Sequence, residues 1–172
     1  MGTWYSPIRF RSKRFNTTNL QAHFINPNCF GEDVGIWLRE ELRKRDVRCE
    51  MPSQEDWGWY LDVKPPPGSR VTATINVGWN GVEFAGKPIP PEDRAWSVWV
   101  ITGGSGCLSW WFGKVDDARK FGAEVHSKVL EVLKSAEEIT VLERATSPDI
   151  SPDSCLVVSQ RVLTTLQTLN LN

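Results

Sequence analysis

The chain has 172 residues, enough for one domain with or without a tail, and 40% of them are apolar, enough for a core at that size. With 20 basic and 21 acidic residues it is near neutral, which argues against nucleic-acid binding by bulk charge, since neutralising phosphates needs a basic surplus. No run approaches the ~20 apolar residues of a membrane span, and no basic-then-apolar leader is visible, so a soluble, cytoplasmic protein without a membrane partner is expected.

Arg9, Arg11, Lys13 and Arg14 cluster near the start, interleaved with Phe10 and Phe15. Such a run can hold phosphate or an acidic partner, but a solvated lead-in is the commoner meaning, and residues 1–16 are assigned to one. Residues 17–26 are expected to form the first strand, with Leu20, Ala22 and Phe24 on one side and Gln21, His23 and Ile25 on the other. Asn26-Pro27-Asn28 ends it. A helix is expected over 31–46, because Val34, Trp37, Leu38 and Leu42 form one stripe. Arg39, Glu40, Glu41, Arg43, Lys44 and Arg45 cover its other side as a solvated face, and Glu32 and Asp33 in the first turn suit the helix dipole.

The densest aromatic segment follows, in a chain with nine tryptophans. Trp57, Trp59, Leu61 and Val63 alternate with Gly58, Tyr60 and Asp62, the period of a half-buried strand, and Glu55 and Asp56 stand just before it. Lys64-Pro65-Pro66-Pro67-Gly68-Ser69 is a rigid connection. A long strand follows at 71–79, then the tight-turn pair Asn80-Gly81, a short return strand at 82–84 and an exposed, proline-rich loop at 85–94. A central strand is expected at 96–102, with Trp96, Val98 and Val100 opposite Ser97, Trp99 and Ile101. Glycines at 103, 104 and 106 turn the chain, and 107–112 would pair back. This is a hairpin rather than a phosphate loop, since no Gly-Lys-Ser/Thr opening a helix follows. Asp116 caps a second helix over 117–135, with Ala118, Phe121, Val125, Val129, Val132 and Leu133 as its stripe. A short strand follows at 139–145. The breaker cluster at 147–153 opens a tail, 147–172, in which Val158, Val162, Leu163, Leu166 and Leu169 mark a candidate docked helix.

This order predicts an α+β fold, a two-layer sandwich with a mostly antiparallel sheet of five to six strands, two long helices on one face and a candidate C-terminal helix. The domain itself is placed at 17–146.

Three groups of residues carry chemistry. Glu55, Asp56 and Asp62 form the best carboxylate cluster, and paired carboxylates can divide acid and base roles. Neighbours on a strand diverge, however, so a solvated strand start weighs more. His23 could meet that cluster, and Cys29, just before the first helix, could have a lowered pKa there. Together they would make a small hydrolase-like enzyme using Cys29 or Asp56/Asp62 with His23. His126, on the second helix, reads as structural. Cys29, Cys49, Cys107 and Cys155 are too scattered for a Cys-x-x-Cys clamp, so free thiols are expected and neither a metal nor a cofactor is implied.

The aromatic residues weigh most. Tyr60, Trp99, Ile101, Trp110 and Phe112 cannot all share the side taken by Trp59, Trp96 and Trp111. A second face rich in rings marks an interface. The expected function is therefore non-enzymatic: a module binding a protein partner or a second copy through Glu55, Asp56, Trp57, Tyr60, Trp99, Trp110 and Trp111. The alternative is a small-molecule sensor, with an aromatic pocket between the sheet and loop 85–94 and the acids at 55–56 orienting the ligand.

Overall fold

The long strands form where apolar residues recur at every second position, and each helix where apolar residues recur every three to four positions. A computed structural model describes residues 3–26, 29–69, 71–81, 83–84, 87–88, 90, 94–104 and 114–142. In chain order the elements are β1 (Thr3–Trp4), β2 (Ile8–Arg11), α1 (Glu32–Arg43), β3 (Ser53–Glu55), β4 (Gly58–Val63), β5 (Val71–Asn80), β6 (Glu83–Phe84), β7 (Lys87–Pro88), β8 (Ala95–Gly104), α2 (Lys114–Ser135) and β9 (Thr140–Leu142). The fold is α+β, and its main sheet has seven strands in the order β3-β4-β5-β8-β2-β9, with β1 also paired to β8. Every pairing is antiparallel. The return strand expected at 82–84 is β6, and it pairs with β7 rather than with β5.

Register sets the core. Trp59 stands opposite Val77, Val77 opposite Val98, and Val98 opposite Ile8. Leu61, Ile75 and Val100 form the next row, and Trp96 pairs with Phe10. All these side chains are buried in one cluster with Val34, Leu38 and Leu42 of α1 and Val125, Val129, Val132 and Leu133 of α2. Each fully buried aliphatic side chain contributes about 1.5–3 kcal/mol. Gly31 begins α1 at φ 136°, and a Cβ there would meet Val77 Cγ1 at 3.1 Å and Trp59 Cδ1 at 3.3 Å. Glycine thus lets the helix start lie directly on the sheet. At the other end, Val47 N donates to Leu42 O at 3.0 Å and Asp46 takes φ 61°, the left-handed turn that stops a helix.

Two expectations are corrected. No strand forms over 17–26. Asn16 curls the chain instead: its Oδ1 accepts from Thr18 N at 3.1 Å and Asn19 N at 2.8 Å, and its own N–H donates to Asp33 Oδ2 at 2.6 Å. Local side-chain bonds of this kind compete with extended structure, and Leu20 and Ala22 remain exposed. Second, residues 3–11, expected to lead into the domain, provide β1 and β2. Ile8 and Phe10 face the core while Arg9 and Arg11 face out, so charge on one side of the strand disguises an ordinary alternation. The strand at 107–112 and the tail at 147–172 lie outside the described residues.

Candidate functional site

The site is built on the β3–β4 hairpin. Glu55 pairs with Gly58, leaving Asp56 and Trp57 as its two turn residues. Trp57 therefore leaves the alternation that would have put it beside Trp59. Its ring packs on Trp99, with centroids 5.5 Å apart and planes at 49°. Trp99 in turn lies over Gly78, where a Cβ would come within 3.4 Å of the indole. In the next row Tyr60 stands opposite Asn76, and Asn76 opposite Trp99. These positions alternate away from Trp59, Val77 and Val98, so the rings belong to the face turned from the core. Asn76 is only 2% exposed, and its Nδ2 donates to Thr74 O and Trp99 O, both at 3.3 Å. Trp99 Nε1 is buried and has no acceptor among the described residues. Trp57 is 49% exposed. Trp4, opposite Ile101 in β1, is 63% exposed, and the sequence had given it no element.

The acidic residues do not form one cluster. Glu55 is exposed on β3, and Asp56 is exposed in the turn, with its main-chain carbonyl accepting from Asn26 Nδ2 at 2.9 Å. Asp62 is exposed on β4 and accepts from Thr74 Oγ1 at 3.2 Å. No hydrogen bond joins the three among the described residues.

His23 lies in a turn rather than on a strand. Its Nε2 is 2.8 Å from Glu32 Oε1, and because a carboxylate only accepts, that nitrogen carries the hydrogen. The ring meets Phe24 and Trp59 edge-on at 5.2 and 6.4 Å. Cys29 Sγ donates to Asp56 O at 3.1 Å, so the structure does bring Cys29 to the hairpin turn. Burial, and then the negative charge of Asp56, push the Cys29 thiol above its usual range. That is the reverse of what a nucleophile needs. Cys29 and Cys49 are free thiols, and burial pushes Cys49 up to about 12. His126 Nε2 sits 3.0 Å from Ser6 O, and its ring stacks on Tyr5 at 5.6 Å.

Sequence reasoning missed Gln54, which fastens the segment before α1 to the hairpin. Its Oε1 accepts from Ile25 N at 2.6 Å, and its Nε2 donates to Asn26 O at 2.9 Å and Cys29 O at 3.3 Å. Trp59 Nε1 adds a bond to Cys29 O at 2.8 Å. An alternating strand gives no signal for such a clamp, because its partners are main-chain atoms of a distant loop. Trp110 and Trp111 lie outside the described residues. Two clefts, of about 300 and 180 Å3, are lined by charged side chains, joined in the larger by Trp37, Val132 and Ala136 and in the smaller by Cys49, and by neither Trp57, Tyr60 nor Trp99. No helix among the described residues is long and apolar enough to cross a membrane. Compared with protein-family models, curated proteins and solved structures, the chain matches none.

Proposed function

We propose that this chain is a binding module that holds a protein partner, or a second copy of itself, on the sheet face bearing Trp57, Tyr60 and Trp99. The observation that carries the reading is the Trp57–Trp99 pair: two indoles packed 5.5 Å apart, one of them 49% exposed, on the side of the sheet away from the core. Both helices send their apolar stripes into one core, and we take them as a single layer that, among the described residues, leaves the Trp57 side of the sheet for a partner. Large rings held on a rigid strand lose little freedom on binding, which is why Trp and Tyr dominate interface hot spots. The raised Cys29 thiol and the engagement of His23 with Glu32 favour this reading over a hydrolase.

A photo-crosslinking side chain placed at Tyr60 should trap one species of defined mass, twice that of the chain for self-association. The same group at Lys120, exposed on α2, should not. Trp57→Ala should weaken the measured association by about 2 kcal/mol, roughly 30-fold, without unfolding the chain, since the ring lies outside the core. A strictly monomeric chain that yields no conjugate from Tyr60 in its native extract would refute the proposal.

A further inference from the structure

Arg39, Arg43, Arg48 and Lys64 converge, with Cys49, on one cleft of about 180 Å3. Helical spacing puts Arg39 and Arg43 one turn apart on α1. The antiparallel bridge between Cys49 and Val63, with Lys64 N donating to Arg48 O at 2.8 Å, puts Arg48 and Lys64 side by side. Arg39 ties the two walls together, because its Nε donates to Cys49 O at 3.2 Å. Glu40 pairs with Arg39 at 2.6 Å and Arg43 at 3.1 Å, and Glu50 pairs with Lys64 at 2.9 Å. Two carboxylates thus stand against four cations, and neither lines the cleft. Arg48 is exposed and makes no ion pair among the described residues. The Cys49 thiol at the floor stays protonated far above neutral pH and adds no negative charge there.

We infer that this cleft binds a phosphate group. Guanidinium forks offer paired N–H donors that match a tetrahedral oxyanion, and the lysine supplies a mobile point charge beside them. The cleft accommodates one such group. The near-neutral charge of the whole chain separates it from a surface tracking many phosphates along a nucleic acid. The α1 surface, expected to be merely solvated, supplies half of the ligand set.

The test uses the isotopically labelled full chain and the arginine Nε–Hε signals in NMR, at constant ionic strength maintained with sodium chloride. The probes are inorganic phosphate, glycerol phosphate and a serine peptide with and without its phosphate. Saturable shifts of Arg39, Arg43 and Arg48 are expected, with roughly tenfold or greater weakening in Arg48→Gln and in Arg43→Gln. Both side chains are exposed, and an unchanged backbone spectrum verifies that the variants fold. Tighter binding of the phosphopeptide than of glycerol phosphate places the group on a protein; equal or weaker binding places it on a small molecule. Shifts that fail to saturate, that chloride alone reproduces, or that survive Arg48→Gln would overturn the assignment.

Discussion

Gly58 shows how much one missing methyl group can control. At φ 154° it occupies backbone space that side chains rarely adopt, and a Cβ would press on the Val77 carbonyl of the neighbouring strand. Gly58→Ala should destabilise the chain by about 1–3 kcal/mol in urea unfolding, the range for a strained backbone position. It should also change Trp57 fluorescence, since the turn that aims the Trp57 ring ends at that residue. The buried thiol gives a second outcome at this scale. Cys49 rises from an ordinary 9.0 to about 12, so the folded state prefers the neutral thiol. Its contribution is whole below pH 9.0 and declines as pH climbs toward 12, by up to ~1.4 kcal/mol per pH unit. Comparing the alkaline stability curves of the wild type and Cys49→Val isolates that slope from other groups; parallel curves would show that the thiol is not protected.

At the scale of elements, Gln54 makes the segment before α1 and the β3–β4 hairpin behave as one piece. Gln54→Ala removes three hydrogen bonds: the Ile25 N–H loses this acceptor, while Cys29 O keeps Trp59 Nε1 and Asn26 O keeps the Cys29 N–H. A loss of about 1–3 kcal/mol in global stability is expected, with faster native-state alkylation of Cys29, whose carbonyl the glutamine holds. Unchanged Cys29 labelling would show that the other bonds suffice. The sequence makes the larger elements legible. The stripe Val34, Leu38 and Leu42 marks α1, Val125, Val129 and Leu133 mark α2, and alternation marks β4, β5 and β8. It hides β2, because Arg9 and Arg11 make Ile8-Arg9-Phe10-Arg11 resemble a charged tail. It misleads over 17–26, because Leu20, Ala22 and Phe24 imitate a strand that has no neighbour to pair with. Of the site, Tyr60 and Trp99 are read from alternation alone. Trp57 is misplaced, because only the two-residue turn, and not the period, determines where its ring goes.

At the scale of the whole molecule, the sheet is closed by segments far apart in the chain. β2 lies between β8 and β9, with Arg9 opposite both Ser97 and Leu142. Phe10 is fully buried, and removing it with Ile8 would open the core as well as unpair β9. A chain lacking residues 3–11 should therefore lose cooperative unfolding altogether, rather than show the modest change expected on trimming a solvated lead-in. A sharp thermal transition in the truncated chain would contradict this.

That arrangement also has a temporal side. β2 leaves the ribosome long before Ser97 or Leu142 exists to receive it, and at ~5–20 residues per second the wait is on the order of seconds to tens of seconds. During that interval Ile8 and Phe10 have no native shelter. Synthesis therefore holds an apolar strand unshielded for that interval, and a chaperone that covers nascent apolar segments should raise the yield of folded chain.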